Sequence, residues 1–319
     1  MSELKHRTVE TNGIRMHVAE QGVGPLVIMC HGFPESWYSW RHQLDALAGA
    51  GFHAVAPDMR GYGRTDAPAE IDAYTLLHLV GDMVGLVGAL GETSAVIAGH
   101  DWGAPVAWHA ALLRPDVFKG VIGLSVPYRP RGNVRPTTVM PQTDEAVFYQ
   151  LYFQTPGVAE AELERDVRAT IRKLAYSGSG DAPPREGIAM VRRGGGFIER
   201  AIDPDTLPPW LTAADIEFYA AEFARTGFRG GLNWYRNIDR NWELLAPYAG
   251  AVVSVPALYV VGDRDLVVRF PGAQQLIANL STFVPKLRRT VMLPGCGHWT
   301  QQERAREVNE AMLEFLKAI

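Results

Sequence analysis

The stretch SAVIAGHDWGAPVAWHAALL (94–113) reads as strand, sharp turn and helix. Residues 95–98 are a short apolar run, and residues 104–113 form a segment of helix length. Gly99 and Gly103 bracket the turn between them. Small residues at those two places let the backbone fold tightly enough to push the middle side chain, Asp101, into the open. A carboxylate there stands at a helix N-terminus, where backbone N–H groups and the positive end of the helix dipole favour its charged form. Taken alone, Asp101 reads equally well as a reactive group or as a plain helix cap.

Outward from this turn the same grammar repeats. Aliphatic and β-branched runs at 26–30, 54–56, 121–126, 257–261 and 290–293 end in Gly, His, Asp or Pro, the pattern of strands buried on both faces of a parallel sheet. Amphipathic segments at 37–48, 74–90 and 303–316 have helix length, and the alternation predicts an α/β fold with a doubly wound, mostly parallel sheet. After Val126 the alternation stops. Residues 128–141, rich in Pro and Arg, read as a linker. Helical stretches are predicted at 144–153, 159–175, 213–224 and 232–237, with no strand-like run among them, and the glycines at 194–196 read as a loop that follows no strand. The expected organisation is an α/β core of residues 1–127 and 251–319 carrying an inserted helical cap of residues 128–250. Neither a repeat nor a low-complexity tract interrupts it.

Composition narrows the function. Of 319 residues, 47% are hydrophobic and 21% charged, and the net charge of −4 gives no reason to expect nucleic acid or an anionic membrane as a partner. No apolar run is long enough to cross a bilayer, so no membrane insertion is expected. The polar start, MSELKHRTVETNG, does not read as a signal peptide, and two cysteines, Cys30 and Cys296, are too few for a disulfide framework; a cytoplasmic location is expected. With no compartment for glycosylation, the sequon at Asn279 carries no weight.

Two further segments decide the role of Asp101. Gly295-Cys296-Gly297-His298-Trp299 follows the run at 290–293, and Asp265 follows the run at 257–261 within Gly262-Asp263-Arg264-Asp265. Asp101, Asp265 and His298 stand in the nucleophile–acid–histidine order of α/β-hydrolases, each just beyond the carboxyl end of a strand. An aspartate nucleophile makes an ester of the enzyme itself, so a base must activate water to release it. His298 is the expected base and Asp265 the residue that orients it. Asp263, nearer the strand end, is the rival to Asp265. His31-Gly32-Phe33-Pro34 follows the run at 26–30, where a second oxyanion donor belongs, so the backbone N–H groups of Phe33 and Trp102 are the expected hole. Phe33-Pro34 is a candidate cis bond.

These residues carry a resemblance. CHGFPESWYSWR (30–41), DMRGYGRTDAP (58–68), GHDWGAPVAW (99–108), YQLYFQTPGVAEAELE (149–164), GFRGGLNWYRNIDRNW (227–242) and GCGHWTQQE (295–303) are similar to soluble epoxide hydrolases, from about Thr8 to Leu316. The resemblance implies an α/β-hydrolase fold with a cap and a detoxifying hydrolase that turns an epoxide into a diol through an ester on Asp101. It also implies two cap tyrosines, Tyr149 and Tyr235, that hydrogen-bond the epoxide oxygen. A neutral phenol can donate to an oxygen becoming an alkoxide. Spacing alone does not choose between Tyr149 and Tyr152, since 149, 152 and 153 share one helix face and suit a packed core; the motif favours Tyr149. The N-terminal phosphatase domain of mammalian members has no counterpart, and no phosphatase activity is expected.

Phe33, Trp102, Phe153 and Trp299 suggest an apolar substrate site for a small apolar epoxide. Gly61-Tyr62-Gly63 lacks the rest of a dinucleotide loop, and neither HExxH nor paired Cys/His spacing occurs, so no cofactor or metal is expected. Of the other histidines, His31 and His100 read as partners of the site loops and His109 as a packed helix residue. A homodimer is allowed but not specified. The nearest alternative is a haloalkane dehalogenase, which shares the Asp nucleophile and following Trp; Phe33, however, has no side-chain N–H for a halide, and the tyrosine pair would have no use. A binding protein on a retired hydrolase scaffold would not need every catalytic group kept.

Overall fold

Eight strands from the two ends of the chain build one sheet in the computed structural model, which describes residues 3–319. They are β1 (Lys5–Thr11), β2 (Ile14–Gln21), β3 (Leu26–Cys30), β4 (His53–Pro57), β5 (Ala95–His100) and β6 (Phe118–Leu124), then, beyond a small hairpin of β7 (Ala146–Phe148) and β8 (Met190–Arg192), β9 (Ala257–Gly262) and β10 (Leu287–Leu293). The order across the sheet is β1-β2-β4-β3-β5-β6-β9-β10. Only the β1–β2 and β2–β4 pairs are antiparallel. From β4 to β10 every pairing is parallel, as the unbroken apolar runs imply: all five residues of β3 and all six of β9 are buried.

The helices in chain order are α1 (Arg41–Gly49), α2 (Leu76–Ala89), α3 (Gly103–Leu113), α4 (Tyr149–Tyr152), α5 (Val158–Leu163), α6 (Val167–Gly178), α7 (Ala213–Thr226), α8 (Arg229–Arg236), α9 (Ile238–Leu244), α10 (Ala273–Ala278), α11 (Leu280–Phe283), α12 (Thr300–Glu303) and α13 (Ala305–Lys317). Two apolar clusters fill the faces of the sheet. One joins α2 and α3 to the β1–β2 side and runs on into the helices between β6 and β9; the other lies under α1 and α13. His109 is half-buried on α3, its Nδ1 bonded to the Pro105 carbonyl at 2.7 Å, and desolvation lowers its pKa to about 4.

Three local expectations are corrected, and one element that the sequence left unassigned appears. The polar start forms the β1–β2 hairpin: Thr11 pairs with Ile14 across Asn12-Gly13, both at positive φ, a two-residue turn whose sequence favours that twist. Between β6 and β9 the chain is not free of strands. Residues 146–148, expected to be helical, pair with Met190–Arg192, and three-residue strands are too short for an alternation to show. The glycines at 194–196 therefore do follow a strand. The helix expected at 159–175 breaks at Glu164, and Asp166 starts α6 by accepting the Ala169 N–H at 2.9 Å.

The turn at Asp101 is closed by its glycines. A Cβ on Gly99 would lie 2.0 Å from the Gly103 carbonyl oxygen, and one on Gly103 would lie 2.1 Å from the Cys30 carbonyl oxygen. Both obstacles are backbone, so neither can move aside. Gly88, on the exposed side of α2, has nothing within 4 Å of such an atom. Gly103→Ala should therefore destabilise the fold by about 3 kcal/mol or more, while Gly88→Ala should stabilise it by up to about 1 kcal/mol. Thermal unfolding of the two variants against the parent measures both; equal midpoints would mean that the turn tolerates a side chain.

Candidate active site

Each loop that bears a chemically active side chain leaves the carboxyl end of a parallel strand. Asp101 follows β5 with φ of +49°, a left-handed conformation forced by the turn. Asp265 follows β9, and His298 lies between β10 and α12. The three converge. His298 Nε2 is 3.4 Å from Asp101 Oδ2, and its Nδ1 is 3.1 Å from Asp265 Oδ1. The rival carboxylate, Asp263, faces away and accepts the Gly295 N–H at 2.8 Å. Ser125, just past β6, also reaches His298, its Oγ 3.1 Å from Nδ1.

The two oxygens of Asp101 are held differently. Oδ1 accepts the Phe33 N–H at 2.8 Å, from the loop after β3, and Trp102 supplies the next backbone N–H along the chain at the start of α3. Oδ2 faces the imidazole. Phe33-Pro34 is cis. Gly32 is needed because a Cβ there would meet Asp101 Oδ1 at 2.4 Å. The loop is fixed from behind by Glu35, whose Oε2 accepts the Gly32 N–H at 2.8 Å and faces His100 Nδ1 at 2.7 Å; His100 Nε2 donates to the His298 carbonyl, also at 2.7 Å. Burial opposes the charge on Glu35, yet His100 and the Gly32 N–H hold its pKa at about 2. His31 donates from Nδ1 to the Gly32 carbonyl and accepts the Met59 N–H at Nε2.

Across a cavity of ≈ 110 Å³ from Asp101 stand Tyr149 and Tyr235, their ring centroids 6.0 Å apart. Burial, reinforced by the charge of Asp101, raises the pKa of both phenols, so they remain neutral donors. Tyr152 is elsewhere: its hydroxyl donates to Glu162 at 2.9 Å. Phe33 and Trp299 line the cavity, together with Phe197 and Leu266. Trp102 and Phe153 do not. Phe153 is fully buried one layer back, with Phe33, Tyr149, Phe197 and Tyr235 packed around it at 4.9 to 6.0 Å, and the Trp102 ring leans on Tyr235 at 5.1 Å. The cavity adjoins a wider hollow of ≈ 460 Å³, sharing Ser177, Gly178, Ile188, Ala189 and Leu266 with it.

His100 does partner the site loops, as its place in the sequence suggests, but Glu35 went unread, because a carboxylate and an imidazole 65 positions apart declare nothing of their pairing until folding joins them. Phe197 was hidden too, lying past a glycine run; two backbone N–H groups, of Phe197 and Ile198, bind the Glu162 carboxylate at 2.8 and 2.9 Å and hold that loop over the cavity.

The family model for the alpha/beta hydrolase fold matches residues 25–305. "Epoxide hydrolase A" of Mycobacterium tuberculosis is 46% identical over 100% of this chain and 99% of its own length. "Epoxide hydrolase 3" of Siraitia grosvenorii is 44% identical over 99% of both. Among solved structures, "Epoxide hydrolase from an endophytic Streptomyces" superposes with a TM-score of 0.95 at 47% identity, covering 98% of this chain and 95% of that one.

Burial disfavours the imidazolium of His298, but the carboxylates of Asp265 and Asp101 outweigh it and raise the pKa well above 6.5. The ion pairs thus lend stability in full below that ordinary value and lose it as pH rises through the raised one. Asp101→Asn removes one of the two charges and should bring the His298 pKa down by one unit or more, roughly the effect of a close carboxylate. Titration of the ring signals by NMR reads this directly; an unmoved pKa would leave Asp265 as the sole source of the shift.

Proposed function

The chain belongs to the epoxide hydrolases of the α/β-hydrolase fold family, and on that premise we propose that it works through a covalent ester on Asp101. The observation that carries this reading is the unequal treatment of the two Asp101 oxygens. Oδ1 is committed to the Phe33 N–H, while Oδ2 faces His298 and the cavity. Oδ2 is then the attacking atom and Oδ1 the future ester carbonyl, already seated where negative charge will develop in the second step.

In the first step Oδ2 attacks an epoxide carbon, the carbon–oxygen bond breaks, and Tyr149 and Tyr235 hydrogen-bond the departing oxygen, which takes one phenolic proton and ends as a hydroxyl; the proton that His298 then gives up restores the phenol. Neutral buried phenols suit this task, since a bare alkoxide is a poor leaving group. Esterification removes the charge of Asp101 and with it part of what holds His298 protonated. Its pKa falls, and the imidazole becomes a base when a base is needed. Water loses a proton to Nε2 and attacks the ester carbon. Charge gathers on Oδ1 against the N–H groups of Phe33 and Trp102, and the diol leaves with Oδ2, which takes the remaining proton of the added hydroxide and so returns Asp101 as a carboxylate. Asp265, drawn below its usual pKa by His298 despite burial, steadies the imidazolium.

The small, mostly apolar cavity supports a small apolar epoxide as substrate. The helical segment between β6 and β9 is read as a cap, 128–250, on a core formed by 1–127 and 251–319. Two free, buried cysteines support a reducing, cytoplasmic setting. Among the described residues no helix is long and apolar enough to cross a membrane. Halide release, the dehalogenase alternative, would leave both phenols idle.

Tyr149→Phe or Tyr235→Phe alone should slow ring opening by roughly 10- to 100-fold, and the double variant by up to about 10⁴-fold. Rapid-quench measurement of ester formation reads this, and a fully active double variant would remove the tyrosines from the mechanism.

The covalent route itself is tested with ¹⁸O-labelled water. A single turnover with enzyme in excess should leave most diol unlabelled and place the label in Asp101, because the new diol oxygen is the old Oδ2. Direct hydration would label the diol at once and leave Asp101 untouched, demoting it to a base.

A further inference from the structure

Among the described residues three other than glycine have positive φ: Asn12, Asp101 and Ser125. Asn12 is in a hairpin turn, where its side chain type is at home. Asp101 is the proposed nucleophile. Ser125, at φ of +66°, is the centre of a γ-turn closed by the Val126 N–H on the Leu124 carbonyl at 2.8 Å, a rare and strained form; it is fully buried directly after β6. Its backbone is pinned on both sides, the N–H donating to the Val260 carbonyl at 2.9 Å and the carbonyl accepting the Tyr259 hydroxyl at 2.7 Å. A left-handed conformation at a serine is costly and persists where its surroundings enforce it, often at working sites. Here the result is to aim Oγ at His298 Nδ1, at 3.1 Å, the same distance as Asp265 Oδ1.

The hydrogen-bond inventory around Asp265 has a gap that this hydroxyl suits. Oδ1 accepts the Val267 N–H at 3.0 Å as well as facing His298, whereas the buried Oδ2 has no hydrogen-bond partner among the described residues. The Ser125 hydroxyl lies close enough to help hold the Asp265 charge. A hydroxyl can accept one hydrogen bond and donate another at once, which neither carboxylate oxygen can do.

We propose that Ser125 is a positioning residue for ester hydrolysis: its oxygen shares the Nδ1 proton of His298 with Asp265, while its own proton turns to the Asp265 carboxylate. The inference rests on His298 acting as the base. Two acceptors on one Nδ1–H fix the tautomer that leaves Nε2 free for water, and they keep the ring in place if either weakens. The nucleophile and the ring opening are untouched, because Ser125 reaches the site only through His298.

The test is a double-mutant cycle on the full chain, with ester formation and ester hydrolysis followed separately by rapid quench and mass spectrometry. Ser125→Ala should leave ester formation unchanged and slow hydrolysis by roughly 3- to 10-fold, the loss of one modest hydrogen bond. In an Asp265→Asn background, where the serine carries more of the task, the same change should slow hydrolysis by a clearly larger factor. Ser125→Gly, which relieves the left-handed backbone and also lacks the hydroxyl, should match Ser125→Ala in both backgrounds and serves where the alanine variant does not fold. The low-field Nδ1 proton resonance should move in either variant. Equal factors in the two backgrounds, an equal slowing of ester formation, or an unmoved resonance would each overturn the proposal, since a merely structural serine gives those results. Failure of the histidine reading is distinguishable: Ser125-intact protein carrying His298→Gln would then hydrolyse its ester at the parent rate.

Discussion

One buried imidazole held between two carboxylates sets the terms for the rest of the molecule. Asp101, His298 and Asp265 are all sheltered from water, and together they carry one more negative charge than positive when ionised. Sealing charges away is costly unless each lone pair and proton has a partner. The surroundings answer that demand with dipoles: the Phe33 N–H on Asp101, the start of α3 behind it, the Val267 N–H on Asp265. The arrangement is stable in the free protein and unbalanced by esterification. Losing the Asp101 charge leaves a cation with one carboxylate where it had two. In the proposed mechanism the first chemical step thereby prepares the second.

That balance needs placement to within a few tenths of an ångström, and the placement comes from backbone crowding as much as from attraction. The β5–α3 turn closes only because Gly99, Gly103 and Gly32 leave room where carbonyls and the Asp101 carboxylate pass. Behind it, Glu35 and His100 link the Gly32 N–H to the His298 carbonyl in one buried chain. The loops of Asp101 and His298 are thus not independent. A disturbance at either reaches the other through two side chains that touch no substrate.

Legibility in the sequence followed how local each signal was. The turn at 99–103 could be read because its glycines, its flanking runs and its aspartate lie within a few residues. The inner strands of the sheet's parallel half were readable because both of their faces are buried, so apolar runs are unbroken. The β1–β2 hairpin was missed because β1, an exposed edge strand, carries mostly polar residues, although Asn12-Gly13 marked its turn. Tyr149 and Tyr152 share a helix face, and only the fold turns one to the cavity and the other to Glu162. Phe153 resembles a wall residue in sequence, but Phe197, arriving 44 positions later, occupies the cavity side of it. Ser125 was beyond reading: its meaning lies in a backbone angle and in two residues contributed by other strands.

The segment between β6 and β9 brings the tyrosines, while the sheet brings the acid groups, so the site works only if the two parts keep register. The join is made at the histidine itself. His298 N–H donates to the Gly178 carbonyl at 2.8 Å and Trp299 Nε1 to the Ala175 carbonyl at 2.7 Å, both at the end of α6. Glu303 completes the seam, its carboxylate accepting N–H groups from Gly180 on one side and from Gly297 and Trp299 on the other, at 2.8 to 3.0 Å. Burial raises the pKa of Glu303, and those three donors work against that cost. Residues 297, 298 and 299 are consecutive, and each is tied to the tyrosine-bearing segment. A shift of that segment therefore cannot carry Tyr149 and Tyr235 away while leaving His298 where it was; the two phenols and the imidazole move, or hold still, together.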